Sequence, residues 1–305
     1  MTLAGGDIRI GVSGWTYTPW RGVFFPAGLR QRDELPYASA MFRAIEINGT
    51  FYRLQRPSAF ARWAEETPDD FMFTVKAPRF ITHIKRLREP EAPVANFLAS
   101  GVLRLGAKLG PILWQFPPNF RFDAARMREF LKMLPHDTDA ALRLARRHDE
   151  RVKDRAWLSV DAHRAMRHAV EIRHESFRDP AFIDILRENR IALVCADTVK
   201  WPRLMDVTAD FVYCRLHGSR ELYRSGYTAA DLDCWTRRVR DWAVGRRPDG
   251  DFIDQTGDVG GTHDVFVFFD NTDKRHAPRN ARGLMRRLGQ TAPVHPRRIA
   301  RLMGQ

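Results

Sequence analysis

Short apolar runs alternate along the chain with longer segments in which apolar residues recur every three or four positions. Runs of the first kind are typical of buried strands, and segments of the second kind are typical of amphipathic helices. The predicted strands are 8–13, 44–48, 71–76, 111–115, 169–173, 192–197, 211–217 and 265–270. The predicted helices are 32–42, 58–66, 93–105, 123–134, 180–189, 229–244 and 277–288.

Eight strands that alternate with helices in one chain are typical of a parallel sheet that closes into a barrel. Only the link between the sixth and seventh strands, 198–210, is predicted as a loop or a short helix. We therefore predict an α/β fold, a single (β/α)8 TIM-type barrel of parallel strands that forms one domain over residues 1–305. The basic segment 136–155 interrupts the alternation and is predicted to be an insertion between strands four and five. The main alternative is a doubly wound open sheet, but the sequence lacks the glycine-rich phosphate loop typical of that fold.

Polar residues alternate with apolar ones in several predicted strands. Successive side chains of a strand point to opposite sides of the sheet, so each of these strands has one apolar and one polar side. If the apolar side packs against the helices, the polar side faces the barrel interior near the carboxyl ends of the strands, where enzymes of this fold place their sites. The residues assigned to this polar mouth are Glu46, Lys76, Glu171, Arg173, Arg215 and His217.

Charges in such a position are costly unless they are paired or bind a ligand. The catalytic candidates, suited to acid–base chemistry, are Glu46, Lys76, Glu171 and His217. Arg173 and Arg215 are assigned to an anionic ligand, because three cations beside two carboxylates would leave a positive excess. The alternative is that Glu46, Glu171 and Arg173 form an ion-pair network that only supports the fold.

Other polar and aromatic residues near the predicted strand ends are candidates for ligand binding. Aromatic side chains in such loops provide stacking walls for sugars or bases, or else pack as a lid on their own barrel. An Asp or Asn at a strand end supplies a hydrogen-bond acceptor or an amide. Besides the two arginines, the ligand-binding candidates are Ser13, Trp15, Asn48, Tyr52, Gln115, Asp197 and Asn271.

The chain has 50 basic residues, seven of them Lys, against 37 acidic ones, which gives a formal charge of +13. Such an excess suggests an acidic partner, either a small phosphate-bearing ligand or nucleic acid. The arginines are scattered over many amphipathic segments and no nucleic-acid-binding module is recognisable, so we attribute the total charge mainly to composition. Nucleic acid remains an alternative partner.

The sequence contains no motif for an organic cofactor, so the cofactor is unknown. A metal is not favoured, because the lysine and arginines beside the candidate carboxylates disfavour a cation. No long apolar run or secretory signal is present, and we expect no membrane partner. The three cysteines, Cys195, Cys214 and Cys234, lack metal-type spacing and indicate reduced thiols in a cytoplasmic protein.

A series of short motifs resembles a known family. The motifs are IGVSGW ending at Trp15, EINGTFY beginning at Glu46, FTVK ending at Lys76, QFPP beginning at Gln115, EIRHESF beginning at Glu171, YCRLHG ending at Gly218 and FFDN ending at Asn271. Their order along nearly the whole chain resembles the YecE-like family, domain-of-unknown-function family seventy-two. The resemblance implies a TIM-type barrel and no established activity. That family usually ends its last strand in paired asparagines, whereas this chain has Asp270 and Asn271.

Three functions are compatible with these patterns. The first is an enzyme of the hydrolase or isomerase type that acts on a small anionic or polyhydroxylated substrate in the polar mouth. The second is a protein that binds or processes nucleic acid, and the third is a metabolite-binding barrel without catalysis. A polar mouth on this fold favours the enzyme.

Overall fold

Eight parallel strands close into a barrel in sequence order, with β8 hydrogen-bonded to β1. The computed structural model describes residues 5–218, 220, 222, 225–256, 260–270 and 275–292. The strands are β1 Ile8–Ser13, β2 Ala44–Ile47, β3 Met72–Lys76, β4 Leu109–Gln115, β5 His168–Glu171, β6 Ala192–Asp197, β7 Phe211–Leu216 and β8 Asp264–Phe269. The helices are α1 Glu34–Met41, α2 Gly49–Tyr52, α3 Pro57–Glu65, α4 Glu91–Ala99, α5 Ala124–Met133, α6 Thr138–Ala145, α7 Pro180–Glu188, α8 Ala229–Ala243 and α9 His276–Arg287. The predicted (β/α)8 barrel is confirmed.

The strands divide their side chains between two cores, as the alternation predicts. Outward-facing residues such as Ile45 and Val212 are buried against the helices in the larger core. Inward-facing residues, among them Leu113, Tyr213 and Phe268, form a second cluster inside the barrel. Because the second cluster fills the interior, the charged residues farther along the same strands stand on an apolar floor.

Two predicted elements extend two or more residues beyond their observed carboxyl ends. The helix predicted over 93–105 ends at Ala99, because Gly101 has a φ of 110° that an α-helix does not accommodate, and a 3₁₀ segment, Val102–Lys108, follows. The strand predicted over 169–173 ends at Glu171, so Arg173 belongs to the loop that leaves β5. Both ends lie where the backbone turns although the residue types still suit the element.

The basic insertion between β4 and β5 contains a helix that the pattern analysis did not predict. Helix α6 begins after Asp137, whose side chain accepts a hydrogen bond from the backbone N–H of Ala140 at 2.7 Å. Ala141, Leu144 and Ala145 are buried on one side of it, while Arg147 pairs with an acidic residue of α4. The segment thus contains an amphipathic helix with an ordinary N-cap, which its arginine-rich composition made difficult to predict.

None of the helices within the described ranges combines the length and apolar character needed to cross a membrane.

Gly11 lies where β1 contacts both of its neighbours, opposite Ala44 of β2 and Phe268 of β8. A Cβ atom built at Gly11 would lie 1.9 Å from the backbone oxygen of Ala44 and 3.3 Å from the Phe268 ring. The closest atom belongs to the backbone and cannot rotate away, so the strands would have to separate at the point where the barrel closes.

We therefore expect Gly11→Ala to lower the free energy of unfolding by about 3 kcal/mol or more. Gly49→Ala is the matched control, because a Cβ there meets nothing closer than the Gln55 amide nitrogen at 3.4 Å and Gly49 is the first residue of α2. That variant should change the free energy by less than about 1 kcal/mol. Equal urea midpoints for the two variants would contradict this account of barrel closure.

Candidate functional site

The guanidinium of Arg215 lies at the centre of the polar mouth and is almost completely buried. It donates to both oxygens of Glu46, at 3.0 and 2.8 Å, and to one oxygen of Glu171 at 2.6 Å. It also donates to Asp270 at 2.8 Å. Burial alone would lower the pKa of Arg215, but the three carboxylates raise it above its ordinary value. Arg215 therefore remains charged and links β7 to the ends of β2, β5 and β8.

A hydrogen-bonded pair beneath Arg215 joins the charged cluster to the apolar floor. The Tyr213 hydroxyl donates to Glu46 at 2.7 Å and lies 2.9 Å from the Thr74 hydroxyl. Burial, followed by the negative charge of Glu46, raises the pKa of Tyr213 well above its ordinary value. The phenol therefore stays protonated and serves as a fixed donor, which leaves Glu46 with both oxygens occupied.

The second carboxylate of the cluster, Glu171, is shared between two arginines. Its other oxygen accepts a hydrogen bond from Arg173 Nε at 2.8 Å and lies 2.7 Å from Arg173 Nη2 in an ion pair. Burial acts to raise the pKa of Glu171, but the positive charges of Arg215 and Arg173 hold that pKa well below its ordinary value. The Arg173 guanidinium lies 4.1 Å from the centre of the Trp201 ring. Its Nη1 makes no hydrogen bond within the described ranges.

His217 and Asp270 close the cluster on the β8 side. The fully buried imidazole has Nδ1 3.4 Å from an Asp270 oxygen and Nε2 3.8 Å from Glu171. Asp270 was not among the predicted site residues, although it follows the inward-facing Phe268 by two positions and so shares its direction. With Asp270 included, the described mouth residues contain three carboxylates and three cationic side chains. The prediction of a positive excess in formal charge is therefore wrong.

Lys76 ends β3 inside the barrel with only 9% of its surface exposed. Its Nζ lies 4.1 Å from the centre of the Phe51 ring and makes no hydrogen bond or ion pair with the part of the chain that the structure describes. Burial, together with the positive charge of Arg215, lowers the pKa of Lys76 to about 7, although Glu46, Glu171 and Asp270 oppose the shift. A large fraction of these amines is therefore neutral near pH 7.

A histidine that the sequence analysis missed lies beside this lysine. His83 belongs to a single π-helical turn, Phe80–Ile84, that follows β3, and its ring meets Phe51 edge-on at 5.0 Å. Burial lowers the pKa of His83 to about 4, and the charges of Lys76 and Arg173 contribute. The imidazole is therefore neutral near pH 7. The only signal in the sequence is its position seven residues after the strand-end lysine.

Several buried polar atoms around the mouth have no hydrogen-bond partner among the described residues. They are Ser13 Oγ, Asn48 Oδ1, Gln115 Oε1 and Trp201 Nε1. An unsatisfied buried polar atom costs on the order of 1–3 kcal/mol, and native proteins leave few of them. Ser13 and Gln115 lie on the inward-facing sides of β1 and β4. Their unpartnered side-chain oxygens therefore point toward the same space as Lys76.

Three of the predicted ligand-binding residues surround a separate cavity of about 270 Å³ at the edge of the mouth. Trp15, Asn48 and Tyr52 line this cavity. The Trp15 ring packs against Trp63 and Phe73, on the helix side of the barrel, and Tyr52 is 72% exposed. Trp15 and Tyr52 are thus more peripheral than the sequence analysis predicted.

Asp197 lies apart from the charged cluster, although it was predicted as a ligand-binding residue. One oxygen accepts from Arg203 at 2.9 Å, and the other from Tyr227 at 2.8 Å and from the Trp235 indole. Cys195, two residues earlier, belongs to the outer core, so strand alternation also directs Asp197 toward the helices. Asn271, another predicted ligand-binding residue, lies outside the described residues.

One group among the described residues has ligand atoms close enough to hold a metal ion. Asp137, Asp139 and His163 offer atoms within 4.8 Å of one another. Asp137 caps α6, and His163 already contacts Asp139 at 2.9 Å. The group precedes β5 and lies toward the amino ends of the strands, opposite the polar mouth.

Comparisons with known proteins agree with the fold. The family model described as "Protein of unknown function DUF72" matches residues 9–301. YecE of Escherichia coli K12 is 34% identical over 113 residues, which is 37% of this chain and 39% of YecE. YunF of Bacillus subtilis is 31% identical over 118 residues, which is 37% of this chain and 41% of YunF. The matched stretch thus spans about two fifths of the length of these curated relatives.

A crystal structure of a DUF72 family protein from Thermotoga maritima superposes with a TM-score of 0.68 at 25% sequence identity. The superposition covers 93% of this chain and 100% of that one. Because the family model spans nearly all of the sequence, this chain belongs to the DUF72 family of proteins of unknown function.

Proposed function

We propose that this protein is an enzyme that transfers a proton to and from a small anionic or polyhydroxylated substrate at the barrel mouth. The observation that carries the proposal is the Lys76 amine, which is buried at a strand end without an ion partner in the described chain. An amine that is about half neutral near pH 7 is a suitable proton acceptor at that pH.

The positions of the carboxylates favour isomerisation over hydrolysis. Cleavage of a glycoside by a carboxyl pair needs one protonated acid. The pKa of Glu171 is held far below its ordinary value, and both oxygens of Glu46 accept hydrogen bonds from Arg215 or Tyr213. These two carboxylates are better suited to holding Arg215 than to giving a proton. Lys76 is then the group that transfers the proton.

The mouth also offers groups that would bind and orient a polar substrate. Arg173 Nη1 is available for an anionic group, since Glu171 occupies only the other two nitrogens. Ser13 and Gln115 would bind substrate hydroxyls. His217, packed between Glu171 and Asp270, is the candidate to return a proton. The apolar floor would strengthen each of these interactions by excluding water.

A ligand screen tests this proposal. Wild-type protein should be stabilised against heat by at least one member of a panel of sugar phosphates, hydroxy acids and polyols. Lys76→Met should bind that compound at least about tenfold more weakly, a loss of about 1.4 kcal/mol. Lys132→Met on α5 is the matched control, because Lys132 is exposed, and it should bind normally. The measurement is isothermal titration calorimetry.

Two results would contradict the proposal. If no compound binds and the protein instead binds DNA or RNA with an affinity that falls steeply with salt and does not depend on Lys76, nucleic acid is the ligand. Equal affinity of Lys76→Met and wild type for the compound found would also remove Lys76 from the site.

The turnover of that compound should depend on pH in a defined direction. Only neutral Lys76 accepts a proton, so kcat/KM should rise with pH through about 7 and then level off. The charges that set this midpoint are those of Arg215, Glu46, Glu171 and Asp270. Lys76→Arg, which cannot deprotonate, should lose at least about 100-fold in kcat/KM. A profile that is flat between pH 6 and 8, or that falls, would contradict the assignment.

The same lysine should reduce stability at neutral and acidic pH. Folding lowers the pKa of Lys76 from 10.5 to about 7, so the unfolded chain binds more protons over that interval. The penalty is therefore complete below pH 7 and disappears as the pH rises toward 10.5. We expect Lys76→Met to raise the free energy of unfolding by about 2–5 kcal/mol at pH 6.5, and by much less at pH 9.5.

Urea unfolding at both pH values measures this difference. Lys132→Met should change stability by less than about 0.5 kcal/mol at either pH, as is usual for an exposed position. If Lys76→Met is less stable than the wild type at both pH values, the lysine stabilises the fold instead of destabilising it, and the prediction is wrong.

A further inference from the structure

The Lys76 amine lies in surroundings that suit a covalent role as well as proton transfer. The three nearest carboxylates, Glu46, Glu171 and Asp270, each accept hydrogen bonds from Arg215. None of the three lies within 4 Å of Nζ, because no ion pair joins Lys76 to the described chain. The lone pair of the neutral amine is therefore not engaged by a neighbouring acid and is available to attack an electrophile.

We propose that Lys76 forms an imine with the carbonyl group of a small aldehyde or ketone that carries an anionic group. This inference rests on the proposed function and narrows its substrate class. The anionic group would lie against Arg173 Nη1, and the carbonyl carbon would meet Nζ above the Phe51 ring.

The chemistry needs no group beyond those present and water. The nitrogen lone pair of Lys76 attacks the carbonyl carbon, the C=O π electrons move to oxygen, and a proton passes from nitrogen to that oxygen. The carbinolamine hydroxyl takes up a proton from water and leaves as water while the C=N bond forms, which gives the protonated imine and a hydroxide ion. The neutral imine forms when that hydroxide takes up the proton on nitrogen. Overall one amine and one carbonyl give one imine and one water, with no change in oxidation state.

The surroundings would also stabilise the protonated imine. Its nitrogen keeps a positive charge, which would lie against the face of the Phe51 ring and in the field of Glu46, Glu171 and Asp270. Gln115 stands on the neighbouring strand, two residues beyond the residue that pairs with Lys76. Its unpartnered oxygen is placed to accept a hydrogen bond from the carbinolamine hydroxyl.

Reductive trapping tests the inference on the whole 305-residue chain. The probes are pyruvate, which is an anionic ketone, and dihydroxyacetone, which is a neutral polyhydroxylated one, each with sodium cyanoborohydride at pH 7. Peptide mass mapping then locates the reduced adduct. At pH 7 about half of the Lys76 amines are neutral, against roughly one in several thousand for an unperturbed lysine. Burial slows access of the probe to Lys76 and offsets part of this advantage. We therefore expect Lys76 to be labelled at least about tenfold faster than the other six lysines.

The controls separate this inference from the proposed function. Pyruvate should label Lys76 faster than dihydroxyacetone, because Arg173 would bind its carboxylate. Lys76→Met should lose the fast adduct, and Lys132→Met should keep it. If both probes label Lys76 no faster than the other lysines, the imine is excluded. In that case, a rise of kcat/KM through pH 7 would still support Lys76 as a proton acceptor.

Discussion

The buried guanidinium of Arg215 is the interaction on which the arrangement of the mouth depends. A charge in the centre of a barrel is tolerated only if acceptors surround it, and removing one partner from a buried ion pair typically costs about 3–5 kcal/mol. Arg215 meets this requirement with carboxylates from β2, β5 and the segment after β8. The same contacts fix the ends of strands that are distant in sequence, so one side chain sets the shape of the site.

This constraint also decides what the other charges can do. The charges of Arg215 and Arg173 lower the pKa of Glu171 and keep it ionised, and burial beside Glu46 raises the pKa of Tyr213 and keeps it protonated. An amine near this cluster meets a positive charge from Arg215 and a low-dielectric floor formed by Phe266 and Phe268, both of which disfavour protonation. Lys76 therefore becomes neutral at a pH at which an exposed lysine stays charged. The ion-pair network need not react itself to set the reactivity of its neighbour.

Strand alternation was sufficient to predict most of this mouth. It predicts correctly that Glu46, Lys76, Glu171 and Arg215 point into the barrel. Alternation assigns a side chain to one side of the sheet even when the predicted strand end is wrong by a residue or two. The same rule applied to β6 directs Asp197 to the helices, where it lies. Its position at a strand end suggests the mouth, but the alternation of side chains does not. His83 could not be found in this way, because a π-helical turn after β3 determines its position and no periodic pattern marks such a turn.

A structural role explains some of the buried polar groups but not all of them. Glu46, Glu171 and Arg215 satisfy one another, and an ion-pair network that only supports the fold would look the same. Lys76, Ser13 and Gln115 differ, since none of their side-chain polar atoms has a hydrogen-bond or ion-pair partner among the described residues to offset the cost of burial. They lie at the carboxyl ends of three different strands, where this fold places its chemistry. The case for a functional site therefore rests on the groups without partners, rather than on the paired charges that stand out first in the sequence.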